Sequence, residues 1–181
     1  MFWLSTSTVV RLRDQLRAAG QKAAVSLGTG DEPTEDEVRT LKAELSPLCE
    51  AMYLMMSADG DVSLEEREVL SGAMRNLSNS VLDGDAIERM VEEARERAEA
   101  SGRGVRLDDV IATLAKDPPR AEVAFVLAAA IAFADNTIAD EENETLDAFA
   151  EGLGIDETRA DELLDAVEKD LRTPPAEPET T

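Results

Sequence analysis

Histidine is absent from this sequence, and cysteine occurs once, as Cys49. Without histidine the chain has no histidine-based catalytic triad, no histidine general base and no histidine-containing metal site. The di-metal carboxylate bundles are also excluded, because they need Glu-x-x-His pairs. A single cysteine excludes internal disulfide bonds and thiolate metal clusters. Since its neighbours include Pro47, Leu48 and Met52, Cys49 is predicted to be a buried structural thiol rather than a nucleophile.

Basic residues are scarce as well: 18 Lys and Arg stand against 40 Asp and Glu, a net charge of -22 at pH 7. This charge argues against nucleic-acid binding, because phosphates would be repelled, and it suits cations or a basic protein partner. No apolar run reaches the roughly 20 residues that span a bilayer. The first ten residues lack the pattern of a secretory signal. We therefore expect a cytoplasmic protein.

Aromatic residues make up only 3% of the chain, and no segment alternates apolar and polar residues as strands do. Apolar residues recur instead at helical spacing, so the predicted fold class is all-α. The run from 123 to 134 is apolar throughout and predicts a helix buried on all sides. Ser46-Pro47 predicts that the first long helix breaks or kinks and restarts. Gly102 and Gly104 are expected to close a helix whose charges form a solvated face; these charges are Glu92, Glu93, Arg95, Glu96 and Arg97.

Three regions are predicted: a basic arm and linker at 1–33, a helical domain at 34–172 and a disordered acidic tail at 173–181. Residues 1–30 carry a net charge of +3, which leaves -25 for the rest of the chain. The arm is expected either to pack on the domain or meet its acidic surface, or to make a weak contact with the inner face of the membrane through residues 1–20.

One segment occurs twice: residues 58–70 return as residues 134–146, with six of thirteen positions identical. The identical positions are the alanine, the first aspartate, three glutamates and the leucine, and each copy follows an apolar run. A repeat of this kind indicates that the fold contains two related halves. We call the two copies motif 1 and motif 2.

Part of motif 1 is explained by helix ends alone. Gly60 supplies the left-handed conformation that ends a helix, and Ser63-x-x-Glu66 is a capping box for the next one. In motif 2 the capping serine is replaced by Ala139, yet Glu142 holds the place of Glu66. The capping function is therefore not shared, while the pair of acids seven residues apart is.

The second explanation of the repeat is a site for a hard cation, Ca²⁺, Mg²⁺ or Mn²⁺, because all the available ligands are oxygens. An EF-hand is not expected, because its first two ligand positions would be Met55 and Ser57. One shared site and two separate sites both remain compatible with the sequence. The candidate ligands are Asp59, Asp61, Glu66, Asp135, Asp140 and Glu142.

The doubled pattern Ala-Asp-Gly/Asn-x-Val/Ile-x-x-x-Glu resembles TerB-like tellurite-resistance domains, as does Leu153-Gly154-Ile155 before a closing helix. The resemblance implies a compact bundle of about seven helices made of two pseudo-repeats, with two central helices that bring the motifs to one region. It also implies a non-enzymatic module with a divalent-cation site, linked to tellurite and stress resistance. Asp59 and Glu66, then Asp135 and Glu142, match the family pattern; Asn136 replaces the second glycine.

Two functions follow as hypotheses: a cation-binding, stress-linked module, and an adaptor that docks a basic partner through its acidic surface without metal. An enzyme is not expected, because the paired carboxylates have no nucleophile, base or cofactor motif beside them.

Overall fold

The computed structural model describes residues 33–134 and 140–172, with side chains to residue 169. In these ranges the chain forms seven α-helices and no strand, which confirms the all-α prediction. The basic arm up to residue 32, the tail from residue 173 and residues 135–139 lie outside the described residues. The helices are α1 Glu35–Met56, α2 Leu64–Leu77, α3 Gly84–Ser101, α4 Arg103–Leu114, α5 Pro118–Ala132, α6 Asp140–Gly152 and α7 Glu157–Arg172.

Helix α1 begins at a capping box. The Thr34 hydroxyl accepts a hydrogen bond from the Glu37 amide (3.3 Å), and the Glu37 carboxylate accepts one from the Thr34 amide (2.8 Å). The helix then continues through Pro47 as one element, so the predicted break at Ser46-Pro47 is wrong, while the alternative of a kink there stays a prediction. An interior proline costs about 3 kcal/mol. Apolar side chains on both sides of it are buried in the same core and offset that cost: Leu41, Leu45, Leu48 and Met52.

Helix α5 is the apolar centre of the molecule. Its start is set by Asp117, whose carboxylate accepts from the Arg120 amide (3.4 Å), and by prolines at the first helical positions, where no amide donor is needed. Every residue from 123 to 132 is buried, as predicted, because α1, α2, α4, α6 and α7 all pack against this helix. Within the described ranges no helix is long and apolar enough to cross a membrane.

The packing follows the sequence repeat. Helices α1 and α5 form the central pair, and α2, which begins within motif 1, packs on both of them. Helix α6, which begins within motif 2, also packs on both. Each half of the repeat thus supplies one central helix and one covering helix, which confirms the predicted bundle of two pseudo-repeats.

Helices α3 and α4 join the two halves and cover α1. A single residue separates them, Gly102, whose φ of 88° lies in the left-handed region that glycine adopts without strain. Gly104 lies inside α4 and closes nothing, so only the first of the two predicted helix-ending glycines acts as one.

Candidate functional site

Motif 1 begins with a tight turn after α1. Gly60 has a φ of 86°, as the sequence predicted for a helix-ending glycine. One carboxylate oxygen of Asp59 accepts a hydrogen bond from the Asp61 amide (2.9 Å), and both side chains are exposed to solvent. The turn therefore holds two exposed carboxylates just beyond the end of a buried helix.

Glu66 of motif 1 belongs to a helix capping box. The Glu66 carboxylate accepts from the Ser63 amide (2.7 Å), and the Ser63 hydroxyl accepts from the Glu66 amide (3.1 Å), so the predicted capping box is confirmed. Although it is acidic, Glu66 is only 6% exposed. A buried carboxylate is costly unless hydrogen bonds satisfy it, and the capping box supplies part of that satisfaction.

Glu142 of motif 2 is buried to the same extent as Glu66. Glu142 is the third residue of α6, as Glu66 is of α2, and it is also 6% exposed. The leucine that the two copies share is also buried in both, at Leu70 and Leu146. The capping box with Ser63 accounts for the burial of Glu66, but Ala139 stands at the position of Ser63 in motif 2. The feature that the two halves share is therefore the buried carboxylate.

The remaining candidate ligands, Asp135 and Asp140, belong to motif 2. Asp140, the first residue of α6, is exposed, and Asp135 lies in residues 135–139, outside the described part of the chain. Across 33–134 and 140–172, no three cysteine or acidic side chains come together in a group that could hold a metal ion. The complete ligand set includes Asp135 and stays a prediction.

One arginine links α1, the helix before motif 1, to α6, the helix that begins within motif 2. The guanidinium of Arg103 donates to the main-chain carbonyl of Leu54 in the last turn of α1 (3.1 and 2.8 Å). The same guanidinium donates to the hydroxyl of Thr145 in α6 (2.9 Å). Partial burial lowers the pKa of Arg103. The end of α1 and the first half of α6 therefore lie side by side, and motifs 1 and 2 belong to the same end of the bundle.

A second ionic group was not predicted from the sequence. Glu50 is 3% exposed, and its two oxygens accept from Nε of Arg97 (3.0 Å) and from Nε of Arg106 (2.7 Å). The hydrogen bond to Glu50 raises the pKa of Arg106. Arg97 is thus not part of a purely solvated face, which corrects that prediction. The position of Glu50 inside an apolar stretch of α1 was the available signal that this acid would be buried.

Cys49 is 1% exposed, and burial raises the pKa of its thiol to about 12. A thiol with that pKa holds almost no thiolate at neutral pH, so it is a poor nucleophile. This confirms the prediction of a structural cysteine.

These features define an all-helical module in which two helix pairs, each associated with one acidic motif, share one core and are joined by an arginine. In a comparison with protein families, residues 46–165 match the family described as tellurite resistance protein TerB. The match spans more than half of the 181 residues, and the chain belongs to the TerB family. Comparisons with curated proteins and with solved structures gave no match.

Proposed function

We propose that this protein is a non-enzymatic TerB module that binds a divalent cation, Ca²⁺, Mg²⁺ or Mn²⁺, with its two acidic motifs. The observation that carries the proposal is the matched pair Glu66 and Glu142, each the third residue of its helix and each 6% exposed. The ligands we propose are Asp59, Asp61, Glu66, Asp135, Asp140 and Glu142.

The contacts of Arg103 support a site to which both halves contribute. They hold Leu54, five residues before Asp59, close to Thr145, three residues after Glu142. Carboxylates from both motifs at one end of the bundle would supply the oxygen ligands that hard cations prefer. The role in tellurite and stress resistance is inferred from membership of the family. We also propose a cytoplasmic location.

Thermal unfolding in EDTA, CaCl₂, MgCl₂ and MnCl₂ tests the cation site. A cation that binds only the folded state adds about 2.7 kcal/mol at 100 times its dissociation constant. For a domain of this size, that corresponds to a rise in melting temperature of about 5–10 °C. Equal melting temperatures in all four solutions would contradict the proposal.

The variant Glu66→Gln distinguishes a role of Glu66 as a metal ligand from its role in the capping box. Glutamine also completes a capping box, so in EDTA the variant should melt at the wild-type temperature or slightly above it. In the effective metal it should lose the rise in melting temperature, because a charged ligand is gone. Asp135→Asn should behave in the same way. The matched control is Glu37→Gln, which alters the capping box of α1 and should keep the metal response.

If Glu66→Gln instead melts several degrees lower in EDTA, its carboxylate is structural and the assignment of Glu66 as a ligand is wrong.

A second candidate function is an adaptor that docks a basic protein without metal. It is favoured by helix α6, which has no basic residue and holds five exposed acids, Asp140, Glu141, Glu144, Asp147 and Glu151. Capture of a basic peptide in EDTA should then weaken steeply with added NaCl, because exposed charges are screened over about 10 Å at 0.1 M salt. Capture that does not change with salt would rule this function out.

A further inference from the structure

Helices α6 and α7 both pack on α5 but make little contact with each other. Between them lies a groove of about 490 Å³. Phe125 and Leu146 form its buried floor, and Ala150, Ile155 and Leu164 are half-buried along its walls. An apolar groove between two helices is a shape that accepts a third, amphipathic helix.

The edges of the groove are acidic. Asp147 and Glu151 lie on the α6 side, Glu157 and Asp161 on the α7 side, and all four are exposed. No basic residue lines the groove, and none of the four acids forms an ion pair in the described part of the chain. Arg159, the nearest arginine in sequence, pairs with Glu122 and Glu162 instead. The groove therefore favours a helix with an apolar face and basic flanks.

The chain itself contains a segment with this chemistry. Apolar residues recur at positions 9, 12, 16, 19 and 23, with spacings of 3, 4, 3 and 4 that place them on one face of a helix. Arg11, Arg13, Arg17 and Lys22 accompany them, with Asp14 as the one acid, whereas the rest of the molecule is strongly acidic. The tail, residues 173–181, contains acidic residues and no basic residue. The acids at the edges of the groove would therefore repel it.

The chain between this basic segment and α1 is long compared with the size of the domain. Residues 24–34 are eleven residues between the segment and α1, and they reach at most about 36–40 Å when extended. A domain of this size has a radius of gyration of about 14 Å. The extended connection is thus longer than twice this radius, about 28 Å.

We propose that residues 9–23 dock as an amphipathic helix in the groove between α6 and α7 of the same chain. Their apolar face covers the groove floor, and their arginines lie against the four acids at its edges. The basic arm is then an intramolecular ligand of this acidic groove.

Photo-crosslinking of the full-length chain tests this docking. The variant Gln15→Cys is labelled with benzophenone maleimide in the folded protein, where the buried Cys49 does not compete. After irradiation of the monomer, mass spectrometry should place the crosslinks within residues 146–164. The yield should fall severalfold between about 50 mM and about 500 mM NaCl, because the arginine–carboxylate contacts are exposed to solvent.

Charge reversal supplies the matched control. Glu151→Lys with Asp161→Lys should reduce the crosslinks severalfold, while Asp85→Lys with Glu96→Lys, on the exposed surface of α3, should leave them unchanged. Adding Arg13→Glu and Arg17→Glu to the groove variant should restore them. Crosslinks elsewhere in the domain, no crosslinks, or an unchanged yield in the groove variant would each overturn the proposal. Crosslinked dimers that disappear on dilution would also overturn it, because the occupant would then be a second copy.

Discussion

Glu50 shows how one buried charge can join three helices. It lies on α1, and its two arginine partners lie on α3 and α4, so the carboxylate fixes how both of these helices sit on the core. Its side chain is 4% exposed, whereas those of Arg97 and Arg106 are 34% and 21% exposed. The acid is thus the member of the group that cannot turn toward water.

We expect Glu50→Ala to lower the free energy of unfolding by about 2–3 kcal/mol. Breaking a buried ion pair costs about 3–5 kcal/mol, and the partial exposure of the two arginines reduces that figure. Urea denaturation measures the change. Glu93→Ala is the control, since Glu93 is exposed and 4.0 Å from Arg97, and it should cost less than about 1 kcal/mol. Equal stabilities of the two variants would contradict a buried, charge-paired Glu50.

At the scale of single helices, the local rules hold where the tertiary environment does not oppose them. The capping box at Ser63 forms as predicted, and one at Thr34 forms as well, because each depends on residues three positions apart. Pro47 does not break its helix, because the apolar residues on either side belong to one core. Sequence alone does not reveal that core, so the continuity of α1 could not be predicted from it.

Replacing the interior proline tests this explanation. Pro47→Ala restores a main-chain donor within α1 and should raise the free energy of unfolding by about 1–3 kcal/mol. The control is Pro118→Ala at the start of α5, where the missing donor has no intrahelical partner, and its effect should be below about 0.5 kcal/mol. A less stable Pro47→Ala would show that contacts of the proline ring matter more than the lost hydrogen bond.

Helices α5 and α7 are joined by a bidentate ion pair. The Glu122 carboxylate accepts from Nε and Nη2 of Arg159, at 2.8 and 2.9 Å. The hydrogen bond from Arg159 lowers the pKa of Glu122 below its ordinary value of 4.5. A carboxylate with a lowered pKa in the folded state adds stability above its ordinary pKa, and that stability is lost as the pH falls through the lowered value.

Glu122→Gln should therefore reduce stability at pH 7 by less than about 1 kcal/mol, since the Arg159 side chain is 41% exposed. The difference from wild type should persist down to the ordinary pKa of about 4.5 and shrink as the pH falls below it. Denaturant unfolding at several pH values measures it. A difference that grows as the pH falls would mean that the sign of the pKa shift is wrong.

For the whole molecule, the sequence repeat predicted the architecture, but it did not predict the ionic contacts between helices. Contacts made by Arg103 and Glu50 join residues 42 to 56 positions apart. No local pattern specifies which side chains meet over such separations. Four of the six proposed ligands were found from the repeat because they recur at matching positions, Asp59 with Asp135 and Glu66 with Glu142, whereas Glu50 has no acidic counterpart in the second half.

Charge is also a property of the whole molecule. With 40 acids against 18 bases, repulsion among the acids opposes the compact state. Raising NaCl in EDTA shortens the screening length from about 10 Å at 0.1 M to about 3 Å at 1 M. The melting temperature should rise by several degrees over this range. A falling melting temperature would show that the ion pairs contribute more than the repulsion costs.

The contacts between the two halves are reciprocal: α2 packs on the central helix of the other half, α5, and α6 packs on α1. This is the pattern of a two-fold symmetric dimer, in which the same patch on each partner meets its copy. The domain is in this sense a dimer of helix pairs within one polypeptide, with α3 and α4 as the covalent connection. Tethering fixes the ratio of the halves at one to one and replaces association by an intramolecular step. Each copy of the motif can then change its sequence without losing its partner, as Asn136 and Ala139 have done relative to Gly60 and Ser63.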